Sequence, residues 1–128
     1  MTAEHDAPTL ASLVAASTLR TVRIAAWRDL DDPEAGGSEL HCDEVATRWA
    51  AAGLDVELRT SMVAGAARET TRHGYRVVRW GGRYVVFPQV ISEAFRFPEL
   101  RADGVVDVWN GMPFFSPLWA KGRRLTIL

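Results

Sequence analysis

The chain has 128 residues, which fits one domain of ordinary size, and 48% of them are hydrophobic, so a packed core can form. Charged residues make up 24% of the chain and the formal net charge is −1. Without a basic stripe to displace counterions from phosphates, this composition gives no electrostatic reason to expect a nucleic-acid partner.

The first 20 residues are predicted to be an amino-terminal tail, followed by one domain over residues 21–128. Leu10, Leu13 and Val14 could share a short helical face within that tail. Regular structure is expected to begin with a strand over Val22–Trp27, because this short apolar run is bounded by the polar run Arg28–Glu34.

A helix is predicted to begin at the run Gly36–Ser38 and to end at about Ala52. Ser38 is a suitable N-cap, and Glu39 places negative charge at the positive end of the helix dipole. Gly53 follows as a C-terminal stop.

One face of this helix carries apolar side chains at the spacing i, i+3, i+4, i+7. These are Cys42, Val45, Ala46 and Trp49. Cys42 is the single cysteine, so an internal disulfide is excluded, and we interpret it as a small core residue. A second strand, Val56–Thr60, follows the helix. The strand–helix–strand unit predicts a right-handed crossover between parallel strands.

The middle of the chain leaves two alternatives. Ser61–Gly74 is predicted to be a polar loop and Tyr75–Trp80 a third strand. The pair Gly81–Gly82 could form the turn of a hairpin, or it could be a loop that leads into a crossover helix with Pro88 at its first position. Apolar residues at helical spacing favour a helix that continues through Phe97.

Two more strands are expected toward the carboxyl terminus. Val105–Trp109 is the fourth strand and ends at Asn110–Gly111, and Pro113–Lys121 is a short crossover that contains a turn of helix. Leu125–Leu128 is the fifth strand. Because this last strand has no return helix after it, we expect the natural sequence to continue.

This alternation predicts an α/β fold with a Rossmann-like, doubly wound and mainly parallel sheet. In the strand order 3-2-1-4-5 the first and fourth strands are neighbours, and ligands bind outside their carboxyl ends, where the winding reverses. The residues predicted to bind a ligand at that edge are Gly36, Gly37, Ser38, Asn110 and Gly111.

Glycines that open a helix allow a ligand to approach the backbone, and the first N–H groups of the helix are free to donate to a phosphate or a sugar oxygen. The spacing does not match G-x-G-x-x-G, and the absence of Gly-Lys-Ser/Thr excludes a P-loop. Local charge is an objection, because Arg28 and the five carboxylates from Asp29 to Glu39 sum to about −4. Unless those carboxylates face solvent or a cation from elsewhere completes the site, a plain structural turn is an equal alternative.

Other chemistries have weaker support. His5, His41 and His73 are far apart in the sequence and match no zinc-site spacing, so neither a metal nor a cofactor is expected. Asp29 and Asp31 could form an acid–base pair, although a solvated loop is the favoured interpretation. No nucleophile, base and orienting group can be assembled into a triad.

Aromatic and basic residues are interleaved in the segments Arg76–Arg83 and Phe114–Arg124. They could contact a membrane or a hydrophobic acceptor, but strands need such residues for packing, and a core role is favoured. The sequence contains no run of about 20 apolar residues, and the acidic start Met1–Asp6 is unlike a secretory signal. The expected location is the cytoplasm, with peripheral contact at the inner face of a membrane as an option.

Five segments together resemble the amino-terminal domain of family 4 glycosyltransferases, in collinear order over residues 22–128. These segments are Ile24–Asp29, Pro33–Glu39, Ala52–Val56, Arg79–Tyr84 and Asn110–Phe115.

The resemblance implies the GT-B arrangement, in which two Rossmann-like domains face each other across a cleft. It implies transfer of a sugar from a nucleoside diphosphate sugar to an acceptor, with retention of configuration and without a required metal. It also implies that this domain holds the acceptor, that Gly36 and Gly37 approach the donor diphosphate, and that a carboxyl-terminal domain supplies most donor contacts, including the cations.

That second domain is not part of the 128 residues. The family's amino-terminal histidine would follow the strand Leu125–Leu128, so no catalytic residue is assigned and the chain alone is expected to be inactive. A non-catalytic Rossmann-like binding module is the alternative. A dehydrogenase is disfavoured, because the third glycine and the ribose-binding acidic residue after the second strand are missing.

Overall fold

A six-stranded sheet lies at the centre of the structure, a computed structural model that describes residues 7–82, 86–96, 102–108, 114, 120 and 123–127. The helices and strands, in chain order, are α1 (Leu10–Ala16), β1 (Thr21–Ala25), α2 (Gly37–Ala51), β2 (Asp55–Thr60), β3 (Glu69–Arg72), β4 (Tyr75–Arg79), α3 (Val86–Arg96), β5 (Gly104–Val108) and β6 (Arg123–Ile127). The strands are arranged in the order β3-β4-β2-β1-β5-β6. The fold is therefore α/β, as the alternation predicted.

The five strands that the sequence predicted are all parallel. β1 lies between β2 and β5, with Val22 beside Val56 on one side and beside Gly104 on the other. β2 pairs with β4, and β5 pairs with β6, in the same direction. The predicted order, with the first strand in the middle, is confirmed, and the sheet is compatible with a Rossmann-like fold.

A sixth strand lies within the segment Ser61–Gly74, so the prediction that all of it is a loop was wrong. β3 pairs antiparallel with β4 at the sheet edge, through a two-residue turn at His73 (φ 47°) and Gly74 (φ 89°). Its side chains are exposed or half-buried, so the sequence Glu-Thr-Thr-Arg has no apolar face that could reveal a strand. The available signal was a pair of β-branched threonines before a glycine-containing turn.

The N-cap of helix α2 lies two residues before the position predicted for it. The N–H of Leu40 donates to the Gly36 carbonyl at 3.2 Å, and the Glu39 carboxylate accepts the Gly36 N–H at 2.7 Å. Gly36 is therefore the N-cap, and the prediction of Ser38 in that role was wrong. The Glu39 carboxylate binds the backbone N–H of Gly36, and the helix therefore begins at Gly37 without a capping hydroxyl from Ser38.

The two long helices cover opposite faces of the sheet. On the α2 face, Cys42 and Ala46 are buried against strand residues that include Ile24, Leu58 and Val77. The predicted apolar face of α2 is confirmed for Cys42, Ala46 and Trp49, whereas Val45 is only half-buried, and the interpretation of Cys42 as a core residue is confirmed.

On the opposite face, α3 packs Val86 and Val90 against Ala25 of β1. This confirms the helix that was favoured after the third predicted strand and excludes the hairpin. The helix begins at Val86, and Pro88 is its third residue, still within the first turn, where a backbone N–H needs no helical partner. The predicted end at Phe97 lies outside the described residues.

The predicted tail contains helix α1. The Thr9 hydroxyl caps it by accepting from the N–H of Ser12 at 3.1 Å. Within the part of the chain that the structure describes, none of the helices has the length and apolar character needed to cross a membrane.

The interface between the sheet and α3 contains ion pairs as well as apolar contacts. Arg59 is fully buried and directs its Nε and Nη2 to the Glu93 carboxylate, each at 3.1 Å. Arg23 is 4% exposed and lies 3.4 Å from Glu57 and 3.7 Å from Glu93. Alternation along β1 and β2 places these charges on the α3 face, beside an otherwise apolar layer.

We expect the thiol of Cys42 to be inert while the chain is folded. Burial, with a smaller contribution from the Glu39 charge, raises the pKa of this thiol to about 11. Alkylation at pH 8 should therefore be about a hundredfold slower or more in the native chain than in denaturant, because the thiolate is the reactive form. Mass spectrometry of iodoacetamide labelling measures both rates, and equal rates would contradict the burial.

Candidate functional site

The carboxyl ends of β1 and β5 meet the start of α2 at a small crevice. Its lining residues are Ala26, Trp27, Arg28, Ser38, Glu39, Cys42 and Val108. The structure thus brings the predicted residue Ser38 to the point where the winding reverses, beside the end of β5. Asn110 and Gly111, also predicted, lie outside the described residues. The cavity volume is about 10 Å³, room for no more than one water, so a larger ligand would have to lie over the edge.

The glycine pair at this edge is not required by the geometry of the described residues. Gly36 has an extended backbone with φ −137°, which any residue adopts, and Gly37 does not have positive φ. A Cβ added to Gly37 would meet no atom within 4 Å, and one added to Gly36 would meet only Glu39 Oε2 at 3.8 Å. Gly81 differs, because its φ is 85° and an added Cβ would overlap the Gln89 side chain.

The carboxylates that follow β1 do not all face solvent. Asp29 is fully buried, and its oxygens accept from Arg72 at 2.9 and 3.0 Å and from Arg79 Nε at 2.9 Å. The half-exposed Asp31 accepts from Nη2 of both arginines at 2.9 Å. We name Asp29, Asp31, Arg72 and Arg79 the Asp29 cluster. It ties the loop after β1 to the β3–β4 hairpin.

The state of Asp29 argues against both roles that the sequence offered for it. Burial by itself raises the pKa of the Asp29 carboxyl, but hydrogen bonds and charge from Arg72 and Arg79 outweigh burial and hold that pKa below its ordinary value. A buried carboxylate with its lone pairs engaged is a poor general base. The prediction of a solvated loop was also wrong for Asp29. Its role is to hold the loop in place.

A second ion pair lies inside the crevice. Arg28 Nε is 3.3 Å from Glu39 Oε1, and its Nη1 is 3.9 Å from Glu34 Oε2. The Arg28 guanidinium also lies 4.9 Å from the centre of the Trp27 ring. Glu39 is 6% exposed, so this contact is largely shielded from water.

These contacts change the electrostatic objection to an anion at this edge. Arg28, Arg72 and Arg79 form ion pairs with four of the five carboxylates, all but Asp32, and the eight groups together carry a net charge of about −2 instead of −4. The resemblance implied that cations would come from an opposite domain. Within this chain, Arg72 and Arg79 neutralise part of the local negative charge by pairing with Asp29 and Asp31. Arg79 was not predicted to belong to this site. The available signal was its position on the same alternating face of β4 as the buried Tyr75 and Val77, which indicates a buried side chain.

The remaining predicted groups do not assemble into a site. His41 is exposed, and His73 Nδ1 lies 3.0 Å from Asp43 Oδ1 at the hairpin turn. Among the described residues, no three His, Cys, Asp or Glu side chains come together as metal ligands would. His5 lies outside those residues.

The aromatic and basic segments divide between the core and the surface. Tyr75 and Phe114 are buried, which supports the core interpretation for them. Trp80 is 46% exposed, and the Arg68 guanidinium lies over its ring at 3.1 Å. Most of the predicted crossover Pro113–Lys121 lies outside the described residues.

Comparisons with protein-family models, with curated proteins and with solved structures find no match to this chain.

Proposed function

We propose that this chain is the acceptor-side, amino-terminal part of a retaining GT-B glycosyltransferase of the hexosyltransferase type. In this proposal the turn at Gly36 and Gly37 approaches the diphosphate of a nucleoside diphosphate sugar. The observation that carries it is the open space above Gly37. Among the described residues, neither the backbone angles nor a neighbouring atom requires a glycine at this position, whereas close approach of a ligand to the backbone would require one.

The position of this turn supports the same function. α2 starts at the carboxyl edge of β1, next to β5, where ligands of doubly wound sheets bind. The first N–H groups of α2 can donate to diphosphate oxygens. Because the crevice holds no more than one water, the donor would lie over this edge and contact a carboxyl-terminal domain on its other side. The acceptor and the residue that performs the chemistry are not assigned.

The test is to replace Gly37 by alanine, with Gly82→Ala as the matched control, because an added Cβ is unobstructed at both positions. We expect the free energy of unfolding of Gly37→Ala to equal that of the parent or to exceed it by up to about 1 kcal/mol, since alanine is the better helix former. We also expect it to weaken diphosphate binding at least tenfold, because its Cβ occupies the space for the ligand.

Binding is measured by NMR titration of the 128-residue chain with uridine, guanosine and adenosine diphosphates, through the amide signals of Gly36–Leu40. The Gly82→Ala variant should bind as the parent does. If none of the three diphosphates shifts these amide signals at millimolar concentration, or if Gly37→Ala binds as tightly as the parent, the proposal is wrong.

A non-catalytic Rossmann-like binding module is the second candidate. It is favoured by the crevice chemistry, because the ionisable side chains Arg28 and Glu39 are engaged with each other. The titration separates the two candidates, since a complete module should bind its diphosphate in the micromolar range and half of a two-domain site only in the millimolar range. Sugar transfer by the isolated chain from any nucleotide sugar would contradict both.

A further inference from the structure

A second cavity, much larger than the crevice, lies on the α2 face at the amino-terminal ends of β1, β5 and β6. Its volume is about 350 Å³, and Val22, Val106 and Trp49 line it. Helix α1 contributes Leu10, Leu13 and Val14. We name it the α1 cavity. Because it lies at the opposite edge of the sheet from Gly37, it is separate from the proposed donor site.

The packing of α1 leaves apolar side chains of the cavity lining exposed. No residue of α1 is buried, and Leu10 and Leu13 are 38% and 52% exposed although both line the cavity. A helix of seven residues is not stable on its own, and most helices are stabilised by burying an apolar face. An apolar molecule in the cavity would remove water from Leu10, Leu13 and Val14 and so stabilise α1.

Positive charge lies at the rim of the cavity. The exposed Arg123 of β6 is one of its lining residues. Arg20 donates from Nη1 to the carbonyls of two other lining residues, Ser17 at 3.1 Å and Leu19 at 2.7 Å. The nearby carboxylate of Asp103 accepts the backbone N–H of Arg20 at 2.9 Å. Arg124 is a further lining residue, so three guanidinium groups and the Asp103 carboxylate lie around this rim and favour an anion there.

We propose that the α1 cavity binds a single-chain anionic amphiphile, a saturated fatty acid of about twelve carbons, with its carboxylate toward Arg123. The size follows from volume. An apolar cavity of about 150 Å³ holds one benzene ring, so a cavity of about 350 Å³ accommodates roughly twice as many carbon atoms. The apolar lining selects the alkyl chain, and Arg123 selects the charged head.

The experiment titrates the 128-residue chain with dodecanoate below its micelle concentration, by calorimetry. We expect one saturable site. Decanoate should bind about tenfold more weakly, because two fewer methylenes are buried. Hexadecanoate should show no comparable gain, because the cavity is already full. Affinity that continues to rise with chain length would indicate nonspecific surface partitioning and overturn the proposal.

Trp49 reports the location of the ligand. The chain has five tryptophans, and Trp49 lines the cavity, so 12-bromododecanoate should quench part of the fluorescence by contact. Trp49→Phe should abolish that quenching while calorimetry still shows binding within about threefold of the parent. Quenching that persists in Trp49→Phe would place the ligand elsewhere.

Two matched variants test the apolar lining. Leu13→Asp puts a carboxylate on the cavity side of α1, whereas Ala15→Asp adds the same charge on the same helix at an exposed position that does not line the cavity. We expect at least a tenfold loss of dodecanoate affinity in Leu13→Asp and less than twofold in Ala15→Asp. Equal losses, or none, would contradict binding in the cavity. Circular dichroism confirms that both variants fold.

The head group is tested with Arg123→Gln and two ligands. Dodecanoate should lose about fivefold in affinity, while the uncharged dodecanol should bind the variant and the parent equally. If both ligands bind the variant as they bind the parent, the cavity does not select an anion at Arg123. If the parent binds neither ligand, the whole proposal is wrong, and the function proposed for Gly36 and Gly37 is untouched because that site is tested with diphosphates.

Discussion

Replacing Asp29 by alanine is expected to lower the free energy of unfolding by about 3 kcal/mol, the lower end of the range for a broken buried ion pair. The variant leaves Arg79, itself 2% exposed, and the largely buried Arg72 with Asp31, whose side chain is 57% exposed, as their remaining carboxylate partner. A buried cation loses its hydration, and a largely exposed carboxylate compensates that loss less than a buried one does. Urea unfolding at pH 7 measures the change.

Asp31→Ala is the matched control within the same cluster. Asp31 contacts the same two arginines at 2.9 Å, but its side chain is 57% exposed. Water and salt screen such a pair, so we expect a loss of less than about 1 kcal/mol. Equal losses for Asp29→Ala and Asp31→Ala would show that burial of Asp29 does not determine the strength of the cluster.

The same carboxylate predicts a pH dependence. Because the folded pKa of Asp29 lies below its unfolded value, the cluster contributes stability above the unfolded pKa, near 3.8, and loses it as the pH falls through the folded pKa. The parent should therefore lose more stability than Asp29→Ala between about pH 4 and pH 2. Parallel curves for the two proteins would contradict the lowered pKa.

Replacing Glu93 by methionine is expected to cost about 3 kcal/mol, because it leaves the fully buried Arg59 without its carboxylate. The value is at the lower end of the usual range, since Glu93 is 17% exposed and the Arg59 Nη1 keeps its bonds to the carbonyls of Thr60 (2.7 Å) and Trp80 (2.8 Å). Arg23 also loses a carboxylate at 3.7 Å.

The double variant Arg59→Met with Glu93→Met should recover more than half of that loss. A buried ion pair replaced by apolar side chains of similar size is often neutral in stability, because the desolvation of both charges is avoided. The Thr60 carbonyl still accepts the Trp80 N–H at 3.1 Å after the substitution. Denaturant unfolding of the two single variants and the double variant measures the coupling. Additive losses would contradict it.

The carboxyl-edge site could be predicted from the sequence only in part. Gly36 and Gly37 were found because a glycine pair between a strand and a helix is a local pattern, and Ser38 does line the crevice. The sequence could not show whether the glycines were needed for the turn, since backbone angles and open space above Gly37 depend on the neighbouring chain. Ser38 was misassigned as the N-cap because Glu39 takes over the capping of Gly36.

The arginines of the Asp29 cluster could not have been predicted in the same way. Arg79 and Asp29 are 50 residues apart and meet only because β4 lies two strands from β1 in the sheet. Arg72 reaches the same carboxylate only because β3 folds back on β4 through His73 and Gly74. The alternation of Arg79 with Tyr75 and Val77 along β4 indicates a buried side chain, but it does not show that the partner is Asp29, since the two residues belong to different elements.

The sequence by itself determined the alternation of strands and helices, the parallel order of five strands and the apolar face of α2. These features follow from periodicity and chain connection: residues at Cys42 and Ala46 share a helical face, and a right-handed crossover leaves one arrangement for its strands. Only the tertiary structure decided which charges are buried and what neutralises them. Coulomb attraction and desolvation depend on distance and burial in space, and the fold sets both for Asp29 and Arg59 after the local pattern has formed the elements that carry them.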